Sequence, residues 1–288
     1  MVDLAFSIAL GVATLLVGGI YAARVSRAGA ARFDRVDRAG GSVLLGKGTM
    51  QMGYWAMRPI ARACIALRIG PDAVSWASLC LGAAAGVVLG FGRYGAGALL
   101  SVLSSGCDAI DGMIARETQT ASDAGEVLDA TVDRYAELFF FGGIAIHERT
   151  DPFLLGVVLC ASAGAVMVSY STAKAEALGV TPPRGAMRRQ ERAVYLVVGA
   201  ALVPVTTALV DGLGLPSRIG HLPALAALGL VAVVGNASAV LRLRAVAAAV
   251  RQRELGQSQL QVAVAQVSAR AGRDIFDGEA DGRRDRVG

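Results

Sequence analysis

Charge is scarce in this sequence. Only 18% of its 288 residues are Asp, Glu, Lys or Arg, whereas 54% are hydrophobic. That balance excludes an ordinary soluble domain, in which about a quarter of residues are charged. Cysteine is sparse and unpatterned: Cys64, Cys80, Cys107 and Cys160 form no CxxC pair and lie in or beside apolar segments. A disulfide framework and a cysteine zinc site are thereby excluded, and the four thiols read as small hydrophobes. No nucleic-acid motif accompanies the net charge of +5. The basic surplus therefore points to anionic lipid headgroups and anionic substrates, with no nucleic acid among the partners. There is no internal repeat.

What the sequence does have is apolar blocks of spanning length. A hydrocarbon core takes about 17–25 residues of helix to cross. Blocks at 4–23, 73–92, 152–173, 193–210 and 222–241 are uncharged, while 94–115 holds Asp108 and Asp111, and 127–146 holds Asp129, Asp133, Arg134 and Glu137. Seven transmembrane helices are expected. The first lacks a basic leading region, with Asp3 in its place, and lacks a cleavage site, so it reads as an uncleaved anchor. Threading seven spans puts the Lys and Arg of 24–68, 174–192 and 242–288 on one side, with only Arg93, Arg149 and Arg218 opposite. The positive-inside tendency then places the N-terminus outside and the C-terminus in the cytoplasm, in a multi-pass protein of a prokaryotic inner membrane.

The expected fold class is all-α, a polytopic membrane bundle, divided into four parts. Residues 1–24 are the N-terminal anchor. Residues 25–70 are a cytoplasmic linker with an amphipathic stretch, where Trp55, Met57, Ile60, Ile65 and Leu67 interleave with Arg58, Arg62 and Arg68. That stretch suits a helix in the headgroup plane or a partly buried connector. Residues 71–250 are a six-helix body, opened by a break at Gly70-Pro71-Asp72, where Asp72 or Ser75 is available as a cap. Gly82, Gly86 and Gly90, four residues apart, read as a close-packing face. Residues 251–288 read as a polar, largely disordered tail.

Asp108, Asp111, Asp129 and Asp133 stand out, because an ionisable residue at the centre of a span costs about 2.5–3.5 kcal/mol on insertion scales. Asp108 and Asp111 are i, i+3, and Asp129 and Asp133 are i, i+4, so each pair shares a helix face. The two helices follow one another across a short loop and are expected to be antiparallel neighbours, with the four carboxylates converging near the cytoplasmic surface. With few cations nearby, such a cluster describes a hard divalent-cation site. Mg²⁺ prefers oxygen ligands and binds through carboxylates plus substrate phosphates. Two ions would balance four charges and leave coordination positions for a diphosphate. Gly112 clears space beside Asp111, and Arg116 offers a forked donor to phosphate. Displacement at phosphorus is the chemistry implied.

The spacing is also that of a known signature. Asp108-Ala-Ile-Asp111-Gly112-Met-Ile-Ala115-Arg116, eight residues, Gly125, three residues, Asp129, three residues and Asp133 resembles the CDP-alcohol phosphatidyltransferase family at all eight specified positions. Chance agreement is on the order of one in ten million. The resemblance covers roughly 71–250 and implies a six-helix catalytic core, to which the first helix is an addition. It also implies Mg²⁺ as a pair of ions with Mn²⁺ as a substitute, CDP-diacylglycerol plus a small polar acceptor as substrates, and a homodimer. Carried over by position, Asp108 and Asp129 would bridge both metals. Asp111 would hold one, and Asp133 would bind the other or act as general base. Gly112, Ala115, Arg116 and Gly125 would contact the CDP moiety, with Ser122 a weaker addition. Many members carry Pro-Asn-x-x-Thr before the first core helix. Pro71-Asp72-Ala-Val-Ser75 stands there instead, and this departure sets nucleotide contacts at Asp72 and Ser75 against a helix-capping role.

Lys174, Arg184, Arg188, Arg189 and Arg192 form a second, basic constellation. It reads equally as a topology signal with lipid contacts or as a pocket for a phosphorylated acceptor, with Lys174, Arg188, Arg189 and Arg192 as its residues. The Ser169-Tyr170 and Lys174-Ala-Glu176-Ala-Leu-Gly179 stretches, with Glu191-Arg192, resemble phosphatidylinositol-phosphate synthases, which makes inositol phosphate a candidate acceptor beside glycerol 3-phosphate. Glu137 reads either as a partner behind Asp133 or as a partner of Arg134. His147 and His221 read as interfacial polar residues at the outer helix ends. Two other classes compete: a membrane prenyltransferase, for which a second Asp-rich motif is missing, and a divalent-cation carrier, which would leave Gly112 and Arg116 without a role.

Overall fold

The computed structural model describes residues 1–31, 33, 36, 46–181 and 187–284, with side chains as far as residue 261. Every regular element among them is helical. In chain order these are α1 (Val2–Ala28), α2 (Gly46–Ala66), α3 (Pro71–Gly90), α4 (Tyr94–Glu117), α5 (Asp123–His147), α6 (Pro152–Ala177) and α7 (Arg189–Gly212). A 3₁₀ turn, Ser217–His221, leads into α8 (Leu222–Leu230), which continues through a π-helical turn, Val231–Gly235, into α9 (Asn236–Arg284).

Six of these stretches are long and apolar enough to cross a membrane. α5 is not among the six, because Asp129, Asp133, Arg134 and Glu137 interrupt its apolar run. The protein is an integral, polytopic helical membrane protein. Large apolar side chains face outward along these helices, among them Leu15 and Leu16 of α1, Val87 of α3, Leu103 of α4 and Leu159 of α6. An outer surface of that kind marks a membrane-facing protein.

The chain forms two compact units, one from Met1–Tyr170 and Gly185–Ala239, the other from Ser171–Arg184 and Val240–Gly288. In the second, Arg242 Nη2 donates to Thr172 Oγ1 at 2.9 Å and Arg253 Nη1 to the Leu178 carbonyl at 3.0 Å. Helix persists to Arg284, where the sequence reading expected a disordered tail from 251. The reason is propensity: the segment 251–284 is polar, but Arg, Gln and Ala are its commonest residues, and these are good helix formers.

In the first unit α3 is the central packing element. It lies along both α4 and α5, which touch each other over only a short stretch. Chain adjacency predicts α4 and α5 as direct neighbours; instead they are splayed across α3. The glycines explain why. A Cβ on Gly82 would stand 2.8 Å from the Ala136 Cβ, and one on Gly86 would stand 2.5 Å from the Phe139 carbonyl oxygen. In a bilayer, lipid tails are as apolar as leucine, so close backbone approach and dispersion hold helices together. Leu89, Tyr94, Phe140, Phe141, Ile144 and Leu196 form the main buried cluster at and beyond this contact.

α1 joins α4 through an acidic cap. Asp3 accepts from the backbone N–H of Gly95 at 3.1 Å and of Ala96 at 2.9 Å, satisfying the first turn of α4. α2 lies on α4, burying Ala61 with Ile110, Met113 and Ile114, while Arg58 and Arg62 stay exposed. At the other end of α4 and α5 from the aspartates, Glu148 meets His221, Tyr94 and His147. The His221 imidazole first, then the Tyr94 hydroxyl, hold its carboxyl below the usual carboxylate range despite burial.

Candidate active site

The last turns of α4 carry Asp108 and Asp111, and the second and third turns of α5 carry Asp129 and Asp133. Because α3 packs on both helices, their carboxylates meet. Oxygens of Asp108, Asp111 and Asp129 lie within 4.8 Å of one another. Asp133 joins through Arg189, whose Nη1 forms an ion pair with Asp133 Oδ2 and lies 3.4 Å from Asp108 Oδ2. Asp111 and Asp133 are buried, with 5% and 6% of their surface exposed. Buried anions without partners are costly, and one guanidinium does not balance four carboxylates. The set fits a divalent cation in the chemistry of its donors: hard, all-oxygen and closely spaced.

Ser75 is part of this centre. Its hydroxyl lies 2.5 Å from Asp111 Oδ2 and 3.2 Å from the Pro71 carbonyl, one turn back in α3. It does not cap α3, and neither does Asp72. The N-cap is Gly70, with no side-chain hydrogen bond, and Pro71 opens the helix. Pro suits that position because its missing N–H would be unsatisfied anyway. Asp72 is exposed in the first turn of α3, where a carboxylate favours the helix dipole.

Gly112, Ala115 and Arg116 continue the α4 face from Asp111, with Gly112 and Ala115 half-buried and Arg116 exposed. Gly125 lies in the first turn of α5, where its N–H donates to the Ser122 hydroxyl at 3.1 Å. Ser122 is thus the N-cap of α5, and its oxygen is already engaged.

The basic constellation separates into distinct roles. Arg189 sits on the aspartates. Arg192 lies behind them, fully buried, with Nε 2.8 Å from Glu137 Oε1, Nη2 3.0 Å from Glu137 Oε2 and Nη1 3.2 Å from the Met187 carbonyl. Glu137 therefore pairs with Arg192. Asp133 and Glu137 on α5 face Arg189 and Arg192 on α7, making a two-rung ionic ladder between the helices. Half-buried Arg188 is the N-cap of α7, and its backbone N–H donates to buried Glu191 Oε2 at 3.0 Å. Lys174 belongs to the second unit and is exposed; Arg184 lies outside the described residues. A cavity beside the centre is lined by Asp133, Glu137, Arg189, Ser101, Ser104 and Ser105, among others.

Sequence reasoning missed the Ser75–Asp111 bond and the ladder. The only signal available was the presence of Glu137 and Arg192 in otherwise apolar helices.

A membrane-embedded helical unit with a carboxylate centre, Gly and Arg beside it, defines a class of intramembrane enzymes acting on phosphorylated substrates. The CDP-alcohol phosphatidyltransferase family model matches residues 68–234, and the chain belongs to that family, as an enzyme of phospholipid biosynthesis. It is 33% identical over 149 residues to the phosphatidylinositol phosphate synthase of Mycobacterium tuberculosis, covering 50% of this chain and 68% of that protein. The corresponding enzyme of Corynebacterium glutamicum is 30% identical over 170 residues, covering 57% of this chain and 73% of that protein. The crystal structure of the M. tuberculosis enzyme with CDP-DAG bound superposes with a TM-score of 0.57 at 27% identity, covering 66% of this chain and 92% of that one. A second structure of that enzyme, in complex with manganese and citrate, covers 66% and 88%.

Proposed function

We propose that the protein transfers a phosphatidyl group from CDP-diacylglycerol to inositol phosphate, releasing CMP. The observation that carries the reading is the meeting of Asp108, Asp111 and Asp129 within 4.8 Å, with Asp133 tied in through Arg189. The four aspartates would hold a pair of Mg²⁺ ions, replaceable by Mn²⁺, which supply charge neutralisation to the attacking and leaving oxygens.

The chain's own residues do the rest. Gly112 and Gly125 leave room for the cytidine diphosphate beside α4 and α5, and Ala115 borders it. Arg116 donates to its phosphate oxygens. Ser75 fixes the orientation of Asp111. Asp133 takes the proton of the acceptor hydroxyl. The freed oxygen attacks the phosphorus that carries diacylglycerol, the bond to the CMP oxygen breaks, and CMP leaves. Arg188 and Arg189 meet the phosphate of the acceptor, with Arg192 holding α7 in place through Glu137. The similarity to phosphatidylinositol phosphate synthases supports inositol phosphate over other acceptors. The catalytic body is 71–250, the aspartates face the cytoplasm, the N-terminus is outside, and the working form is a homodimer.

CMP release from CDP-diacylglycerol, measured with inositol phosphate, glycerol 3-phosphate, serine and inositol in turn, tests this. Inositol phosphate should give the highest kcat/KM. Preference for glycerol 3-phosphate would reassign the acceptor, and no CMP with any of them would remove the reading.

A further inference from the structure

The chain has two histidines, and the fold brings both to one carboxylate. His147 ends α5, and His221 closes the 3₁₀ turn before α8. His147 Nε2 lies 3.9 Å and His221 Nδ1 3.7 Å from Glu148 Oε1. The three candidate donor atoms all stand within 4.8 Å of one another. Along α5, His147 is fourteen residues from Asp133, about 21 Å at 1.5 Å per residue, so this cluster is distinct from the aspartate centre.

The surroundings fix these groups. The imidazole planes are parallel to within 4°, with centroids 5.9 Å apart. The Tyr94 ring stands edge-on to both, at 5.5 and 5.3 Å. Tyr94 is buried, and its hydroxyl donates to Glu148 Oε1 at 3.0 Å. Gly92, at φ +73°, lets His147 lie against the backbone, since a Cβ there would stand 2.6 Å from His147 Cε1. Arg149, next to Glu148 in the chain, donates to the Ile146 carbonyl at 2.8 Å.

We propose that His147, Glu148 and His221 form a zinc-type metal site. Two imidazoles and a carboxylate, with a fourth position open, are a recurrent zinc donor set. Donors about 2.0–2.2 Å from a tetrahedral ion stand about 3.3–3.5 Å apart, so the two distances to Glu148, 3.7 and 3.9 Å, require closure by roughly 0.4 Å, and the imidazole nitrogens, within 4.8 Å of each other, by at most about 1.5 Å. Tyr94 is the outer hydrogen bond that such a carboxylate ligand takes. Nitrogen donors separate this site from the all-oxygen aspartates, which suit Mg²⁺. All three residues are half-buried, so an ion can enter from water. Bound, it would tie the end of α5 to the start of α8, a closed loop of more than seventy residues.

The test uses full-length protein in detergent, stripped with EDTA and held in excess Mg²⁺ to fill the aspartate centre. Zn²⁺ is then titrated, and retained zinc is measured after desalting. Wild type and an Asp111→Asn/Asp129→Asn variant should each retain about one zinc per chain. His147→Gln and His221→Gln should bind at least about 100-fold more weakly, and Tyr94→Phe about tenfold more weakly. Co²⁺ loaded into wild type should give the intense visible bands of a four- or five-coordinate nitrogen-ligated ion, a readout that needs no variant. Zinc displaced by Mg²⁺, equal binding by the histidine variants, or the weak bands of an octahedral all-oxygen site would overturn the proposal.

Discussion

Arg192 is fully buried, and all three of its guanidinium nitrogens are engaged: two by Glu137 at 2.8 and 3.0 Å, one by the Met187 carbonyl at 3.2 Å. Arg192→Met keeps the bulk of the side chain, so little cavity forms. It leaves Glu137, with 13% of its side chain exposed, as a largely buried anion that has lost its guanidinium partner. Removing one partner of a buried pair costs about 3–5 kcal/mol. A chain of this size loses about 2–4 °C of Tm per kcal/mol, so melting should fall by roughly 6–20 °C. Arg192→Met with Glu137→Leu removes both charges and should recover most of that loss, because a buried pair replaced by apolar groups is often neutral. Thermal unfolding in detergent reads both variants. CMP release should show the single variant with a raised KM for the phosphorylated acceptor and an unchanged KM for CDP-diacylglycerol, since the same face of α7 presents Arg189. A single variant melting within about 2 °C of wild type, or a double variant melting below the single, would refute the assignment of Arg192 as a positioning residue.

Ser75→Ala removes the hydroxyl 2.5 Å from Asp111 and should lower activity or metal affinity about 10–100-fold, seen as a raised Mg²⁺ requirement for CMP release. Arg189→Gln should tighten Mn²⁺ binding by about tenfold or more, measured by paramagnetic resonance, because the guanidinium occupies Asp108 and Asp133. Gly86→Ala should destabilise by about 1–3 kcal/mol through overpacking, since its Cβ would stand 2.5 Å from the Phe139 carbonyl. Gly90→Ala, with its nearest neighbour at 3.6 Å, should melt as wild type does.

The elements themselves were legible because each apolar block is long enough to span and is bounded by charge or by Pro and Gly. The pairing of Asp108 with Asp111 and of Asp129 with Asp133 followed from helix periodicity alone. Their convergence was legible too, but by the wrong route: chain adjacency suggested that α4 packs on α5, whereas Gly82 and Gly86 let α3 take that place. Ser75 looked like a cap because it follows closely on the Gly70-Pro71 break, and its partner Asp111 is 36 residues away. The partners Glu137 and Arg192, 55 residues apart, sat in separate spans whose facing could not be read from either alone. The histidines, each unremarkable in its own segment, acquired a common carboxylate only through the packing of α4, α5 and the turn before α8.

Manganese-soaked crystals, read by anomalous scattering, address the aspartate centre most directly. The account predicts strong peaks, two at full occupancy, among the carboxylates of Asp108, Asp111, Asp129 and Asp133. An anomalous map without peaks there, in crystals of protein that still releases CMP, would contradict it.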